Sequence, residues 1–166
     1  MHVLETERLA LRQLTAEDAE FVLQLLNEPG FIRFVADRGL RTTADAEKYI
    51  AEKITPSYTE HGFGFYVVEL KATGDRIGIC GLVKRETLEV PDIGYSVLER
   101  FWGKGYAREA AAAVLDYGRN VLGIPKIAGV TAPDNVSSIK VLESIGLRFE
   151  RMIHLPGYGS ESKLFS

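Results

Sequence analysis

The chain has 166 residues, 46% of them hydrophobic, with 20 Lys and Arg against 23 Asp and Glu for a net charge of −3. That length and apolar content fit a single domain, read as 1–166, whose core needs no covalent staples. The acidic balance argues against a nucleic-acid or membrane-surface partner, since such proteins gather excess Lys and Arg on one face. The single cysteine, Cys80, excludes an intramolecular disulfide and fits a reducing compartment. Met1 to Leu14 lacks the basic segment and apolar run of a signal peptide, and the longest apolar run, near Ala110 to Leu115, is far too short for a bilayer. The expectation is a cytoplasmic protein. His2, His61 and His154 are scattered without metal-ligand spacing, so no metal is expected.

In chain order, Leu9 and Leu11 alternate with polar neighbours and predict a first strand over Arg8 to Gln13. Thr15 is an N-cap for a helix carrying Phe21, Val22, Leu25 and Leu26 at helical spacing, stopped by Pro29 and Gly30. Residues 31–41 read as an irregular segment. Thr42 or Thr43 caps a second helix to about Glu60, with Pro56 a break or kink. Phe63 to Lys71 and Arg76 to Lys84 read as a hairpin about Thr73, Gly74 and Asp75, continued by a third strand over Val90 to Leu98. A helix follows from about Tyr106, ended by Gly123 and Pro125. Lys126 to Thr131 is a short strand, Asn135 or Val136 to Ile145 a helix, and Arg148 to Ile153 and Lys163 to Phe165 are the last two strands. The sum is α+β: a mixed, mostly antiparallel sheet of about seven strands with four helices on its faces.

The most informative stretch is Glu99 to Ala113. Gly103 and Gly105 stand just before a helix, which lets the backbone approach a ligand, and the unpaired N–H groups of the first turn favour an anion. A dinucleotide fingerprint requires a third glycine where Arg108 stands, and a nucleotide P-loop requires Lys then Ser or Thr where Gly105 is followed by Tyr106. Trp102-Gly103-Lys104-Gly105-Tyr106-Ala107 with Glu109-Ala110 resembles instead the acetyl-CoA loop of the GCN5-related N-acetyltransferase (GNAT) superfamily. Trp102 in place of Arg or Gln, and the segment Asn135, Ser138, Leu142, Glu143 and Gly146, resemble the ribosomal-protein-alanine branch, RimJ/RimL-like; the run Asp92-Ile93-Gly94-Tyr95 resembles the strand that leads into the loop, and the similarity extends to Glu5-Thr6-Glu7-Arg8-Leu9 at the start.

The resemblance implies a GNAT fold and direct transfer of acetyl from acetyl-CoA to a primary amine, either a small molecule or a protein N-terminus. It implies a pyrophosphate on the backbone of Gly103, Lys104, Gly105, Tyr106 and Ala107, and a pantetheine arm against Val97, Leu98 and Asn135. Lys104 also reads as a solvated loop charge, and Asn135 as a plain helix N-cap. Many members carry a proton-donating Tyr where this chain has Leu142; Ser138 is the substitute, or else a first-turn hydroxyl bonded to local backbone. Asp92 is the candidate base or a salt-bridging acid, and His154 a minor second base. Asp92 is a useful base only if burial raises its pKa or the acceptor is an α-amine, already partly neutral. Cys80, among Ile77, Ile79 and Leu82, reads as a buried hydrophobe. The missing Tyr, and the lack of a Glu between His154 and Gly159, leave open a CoA-binding module without turnover. The segments at 31–41 and 154–160 are expected to shape the acceptor pocket, in a monomer or homodimer.

Overall fold

The computed structural model describes residues 2–166. Its eight strands form one sheet in the order β1-β2-β3-β4-β5-β6-β8-β7, antiparallel except for the β5–β6 pair. The strands are β1 (His2–Glu5), β2 (Leu9–Gln13), β3 (Phe65–Leu70), β4 (Arg76–Val83), β5 (Asp92–Val97), β6 (Ala128–Thr131), β7 (Phe149–Ile153) and β8 (Ser162–Phe165). Strand β1 is one more than the sequence predicts: it is four residues long, and only Val3 and Leu4 mark it. It pairs with β2 through a turn in which the Leu9 N–H donates to the Thr6 hydroxyl and the Thr6 N–H to the Leu9 carbonyl.

Helix α1 (Ala19–Leu26) and the rod from α3 (Thr43–Tyr49) to α4 (Thr55–Glu60) lie on one face, while α5 (Tyr106–Asn120) and α6 (Val136–Ser144) lie on the other. The two-residue period of the strands divides the core accordingly. Tyr66, Val68, Cys80 and Leu82 pack with Ala110, Ala111 and Val114 of α5, whereas Val67 and Ile79 between them pack with Val22, Leu25 and Ile50. Cys80 is fully buried and burial pushes its thiol far up, which makes it inert.

Two helical features differ from the sequence reading. Pro29 and Gly30 end α1 but also open a fifth helix, α2 (Pro29–Phe34), because a proline at the first helical position lacks only an N–H that has no partner there. The long second helix is continuous through Pro56, but residues Ile50–Ile54 widen into a π-turn, with the Thr55 N–H reaching back to the Ile50 carbonyl. The wider turn relieves the clash a proline ring makes with the preceding turn.

Asp18, fully buried, ties this helical layer to the sheet. Its carboxylate takes both terminal nitrogens of Arg12 on β2, at 2.8 and 2.9 Å, and the Thr15 N–H at 2.9 Å, completing a capping box. Burial opposes its ionisation, but the Arg12 guanidinium and the Thr15 amide prevail and hold the carboxyl below its ordinary value. A carboxyl so depressed contributes stability that is complete above its unfolded pKa, about 3.9, and is lost as pH falls through the lower folded value. Asp18→Asn is therefore expected to cost about 3 kcal/mol at neutral pH by denaturant melts, since it strands part of a buried ion pair. The difference from the parent should shrink below about pH 4; a constant difference across pH would locate the effect in packing.

Candidate active site

Strands β5 and β6 are paired only at Asp92–Ala128 and Ile93–Gly129 and then part. The opening leads into a cleft of about 1010 Å³ running from the start of α5 to α2 and α3. On β5 the Leu98 N–H donates to Ile77 on β4 at 2.8 Å, and on the other side Pro91 accepts from Ala128 of β6 at 2.9 Å. Backbone groups alternate along a strand, so past Ile93 those of Tyr95 and Val97 turn into the opening. Leu98 does not: it is buried and its amide belongs to the sheet, so the backbone facing the opening is that of Tyr95 and Val97. The Val97 carbonyl accepts the Trp102 indole N–H at 2.7 Å, which leaves the Val97 N–H for a ligand.

Gly103 and Gly105 both adopt positive φ, 79° and 80°, and no side-chain cap covers the α5 N-terminus. The six N–H groups from Gly103 to Arg108 find no acceptor among the described residues. A Cβ on Gly103 would meet nothing, so this donor row is open to an incoming group. Successive backbone donors at a helix start fit a diphosphate. Gly103, Gly105, Tyr106 and Ala107 line the cleft, as does Arg108; Lys104 is exposed beside it, without an ion pair among the described residues.

The start of α5 is held from a distance. Glu109 accepts the Thr6 hydroxyl at 2.5 Å, the Arg8 amide at 3.0 Å and the Arg8 Nε at 2.7 Å, and the Arg8 guanidinium lies 4.4 Å over the Tyr106 ring. This accounts physically for the Thr6 and Arg8 pattern near the chain start. The opposite flank is interlocked with the corner between α1 and α2. The Glu99 N–H donates to Glu28 Oε1 at 2.8 Å, while Glu99 Oε1 accepts the Gly30 N–H at 3.0 Å. A Cβ on Gly30 would come within 2.9 Å of the Trp102 ring.

Asn135 and Ser138 both line the cleft. Asn135 caps α6, its Oδ1 accepting the Ser138 N–H at 3.2 Å. Leu142 is buried over Gly129, so no side chain from that position enters the opening. A phenol comes from β5 instead: the Tyr95 hydroxyl crosses the gap to Ser138, 2.8 Å from its Oγ and 3.0 Å from its carbonyl oxygen. Burial pushes the Tyr95 phenol up, so it stays a neutral donor. When the phenol donates to the carbonyl, Ser138 donates to the phenol; when it turns to Oγ, the serine hydrogen is free for the cleft. Tyr95 was legible only as a strand residue. The available signal was its place on the face of Ile93 and Val97, where a buried phenol needs a polar partner.

Asp92 is buried at the foot of the opening, with Arg85 Nε 3.0 Å from Oδ1 and Arg85 Nη2 3.4 Å from Oδ2. Burial pushes its carboxyl up and outweighs the lowering by Arg85. The direction is the one the sequence reading asks of a base. His154 is exposed after β7 and does not line the cleft. Phe31, Phe34, Arg38 and Tyr158, from the two segments expected to shape the acceptor pocket, do line it. Among the described residues no group of three His, Cys, Asp or Glu is placed to hold a metal, and no helix is long and apolar enough to cross a membrane.

Residues 8–148 match the family model of the acetyltransferase (GNAT) domain. The chain is 35% identical over 155 residues to the uncharacterized protein YkkB of Bacillus subtilis (strain 168), covering 90% of this chain and 87% of that protein. It is 30% identical to the uncharacterized N-acetyltransferase p20 of Bacillus licheniformis, over 92% of this chain and 86% of the relative. In fold it is similar to RimL, a ribosomal alpha-N-protein acetyltransferase solved in complex with coenzyme A, with a TM-score of 0.83 at 16% identity over 99% of this chain and 96% of that one. With the parted strands, the open donor row and the match over 8–148 taken together, the chain belongs to the GNAT acetyltransferase family and is an N-acetyltransferase.

Proposed function

We propose that this chain moves the acetyl group of acetyl-CoA onto a primary amine, of a small molecule or a peptide N-terminus, in the manner of the ribosomal-protein branch. The observation that carries this is the donor row from Gly103 to Arg108, continuous with the unpaired Val97 edge. One ligand carrying a diphosphate and an amide-rich arm would use both sets of groups. Trp102 and the Asn135–Ser138 spacing support the branch. Acetyl-CoA supplies an activated thioester; the protein's work is to position, to stabilise charge and to move protons. The amine nitrogen bonds the carbonyl carbon as the carbon–sulfur bond breaks, the sulfur gains a proton and the nitrogen loses one.

Ser138 is the proton donor to sulfur in this reading. Tyr95 holds Ser138 in place and passes it a proton through the 2.8 Å contact while taking one from solvent, so that both hydroxyls end neutral. Asp92 accepts the amine proton, directly or through water, its affinity raised by burial and its charge balanced by Arg85.

Incubation with labelled acetyl-CoA and an amine panel is expected to transfer label. Tight CoA binding without transfer to any amine would favour the silent module. Gly105→Asp puts a side chain on a backbone held at φ 80°, with its Cβ 3.5 Å from Arg8 Nη2, so the donor row must shift and CoA binding should weaken roughly 10- to 100-fold. Calorimetry measures it, with circular dichroism to confirm folding; unchanged affinity would refute the loop as the phosphate site.

Ser138→Ala should lower kcat about 100-fold with little change in the KM for acetyl-CoA. Tyr95→Phe should lower kcat less and steepen its dependence on the acidity of the thiol leaving group. If both variants turn over like the parent, this pair is only a brace between β5 and α6.

Asp92→Asn should lower kcat/KM most on the alkaline side of the Asp92 pKa, where the parent carboxylate is ionised and the asparagine cannot accept a proton. The two profiles should converge as pH falls below it. A parallel drop at every pH would leave Asp92 as the partner of Arg85 alone.

A further inference from the structure

The end of the cleft remote from the donor row lies between α2, α3 and the loop carrying Tyr158. Phe31 and Phe34 make it partly apolar, and Tyr49, half-buried there, feels both Arg38 and Tyr158. Its charges are unevenly committed. Arg38 and Lys53 line the wall and have no acid partner among the described residues. The acids nearest Arg38 in the chain are already bonded. Asp37 holds the Arg41 guanidinium at 2.8 Å and the Gly39 N–H at 2.9 Å, and Asp45 holds the Arg41 and Thr42 N–H groups. Two carboxylates on the cleft wall are bonded as well, Asp92 by Arg85 and Glu28 by the Glu99 N–H, while the exposed Asp134 stands 4.0 Å from the exposed Arg33. The acceptor end therefore presents two uncommitted cations against one exposed carboxylate, Asp134, which meets Arg33 only at 4.0 Å.

We infer that the acceptor is an amine that also carries a carboxylate, gripped by Arg38 and Lys53, with its amine directed toward Tyr95 and Asp92 and its apolar body against Phe31 and Phe34. The inference rests on acetyl transfer as read above and names the substrate class for it. An arginine and a lysine facing the same space bind one carboxylate more strongly than either would alone, because charge-assisted bonds are the strong ones. A polyamine meets the opposite situation: its distal ammonium groups would face like charge, with only the exposed Asp134 to receive them. Two sources share the chemistry, a free amino acid and a short peptide whose carboxylate lies one residue further along.

The test uses matched series: L-phenylalanine, L-phenylalaninamide, 2-phenylethylamine and the dipeptide L-phenylalanyl-glycine, with L-alanine and L-alaninamide as a second pair. Binding to the CoA-saturated protein is read by calorimetry, and transfer from acetyl-CoA by initial rates. The carboxylated member should bind and react at least about tenfold better than its amide or decarboxylated partner. Preference for the single amino acid over the dipeptide, or the reverse, identifies the source. Arg38→Gln and Lys53→Gln change exposed side chains, and each should reduce the ratio between carboxylated and uncarboxylated partners about fivefold or more, with melting temperature as the folding control. Equal or better use of the uncharged or dicationic amines, or an unaltered ratio in both variants, overturns the inference. Carboxylate-dependent binding without any transfer would support this recognition while sinking the catalytic reading, so the two failures are distinct.

Discussion

The separation of two parallel strands after only two paired positions organises the molecule. A parallel ladder that stops inside a sheet leaves backbone donors and acceptors facing a gap, and such groups are costly unless they find partners. The protein answers some of them itself: the Trp102 indole takes the Val97 carbonyl, and the Tyr95 phenol reaches across to Ser138. The Val97 amide and the row from Gly103 to Arg108 are left for a ligand. The cleft is thus a region where the rules for closing a sheet are suspended, and where the surrounding packing has to hold the edges apart. Leu142 over Gly129 on one side and α5 over β4 and β5 on the other supply that support.

Much of this was legible in the chain because it is local. The period-2 strands, the caps at Thr15 and Thr42, the glycines before α5 and the asparagine before α6 declare themselves within a few residues. What escaped was set by register or by distance. That the backbone of Tyr95 and not of Leu98 faces the opening depends on which residues of β5 face β4, and a one-residue change of register would reverse it. The bonds from Glu109 to Thr6 and Arg8 span about a hundred positions, so nothing near Glu109 announces them. The helix beginning at Pro29 was misread because proline and glycine usually end helices, while proline also begins them.

The chemistry of the cleft follows the same division. Residue types at Asp92 and Ser138 suggested base and acid, but their surroundings decide what they can do. Asp92 is both desolvated and paired, two influences that act in opposite directions on its proton. Ser138 has one hydrogen and two competing uses for it, and only the phenol from β5 makes the second available.

The exchange between Glu28 and Glu99 joins the rim of the acceptor pocket to the approach of the phosphate loop, each carboxylate holding the other segment's amide. Occupancy of one half that steadies this joint lowers the ordering cost for the other half by the same free energy, since linkage is reciprocal. Two substrates that must meet within bonding distance would then also assist one another's residence, through a pair of glutamates of which one, Glu28, lies on the cleft wall.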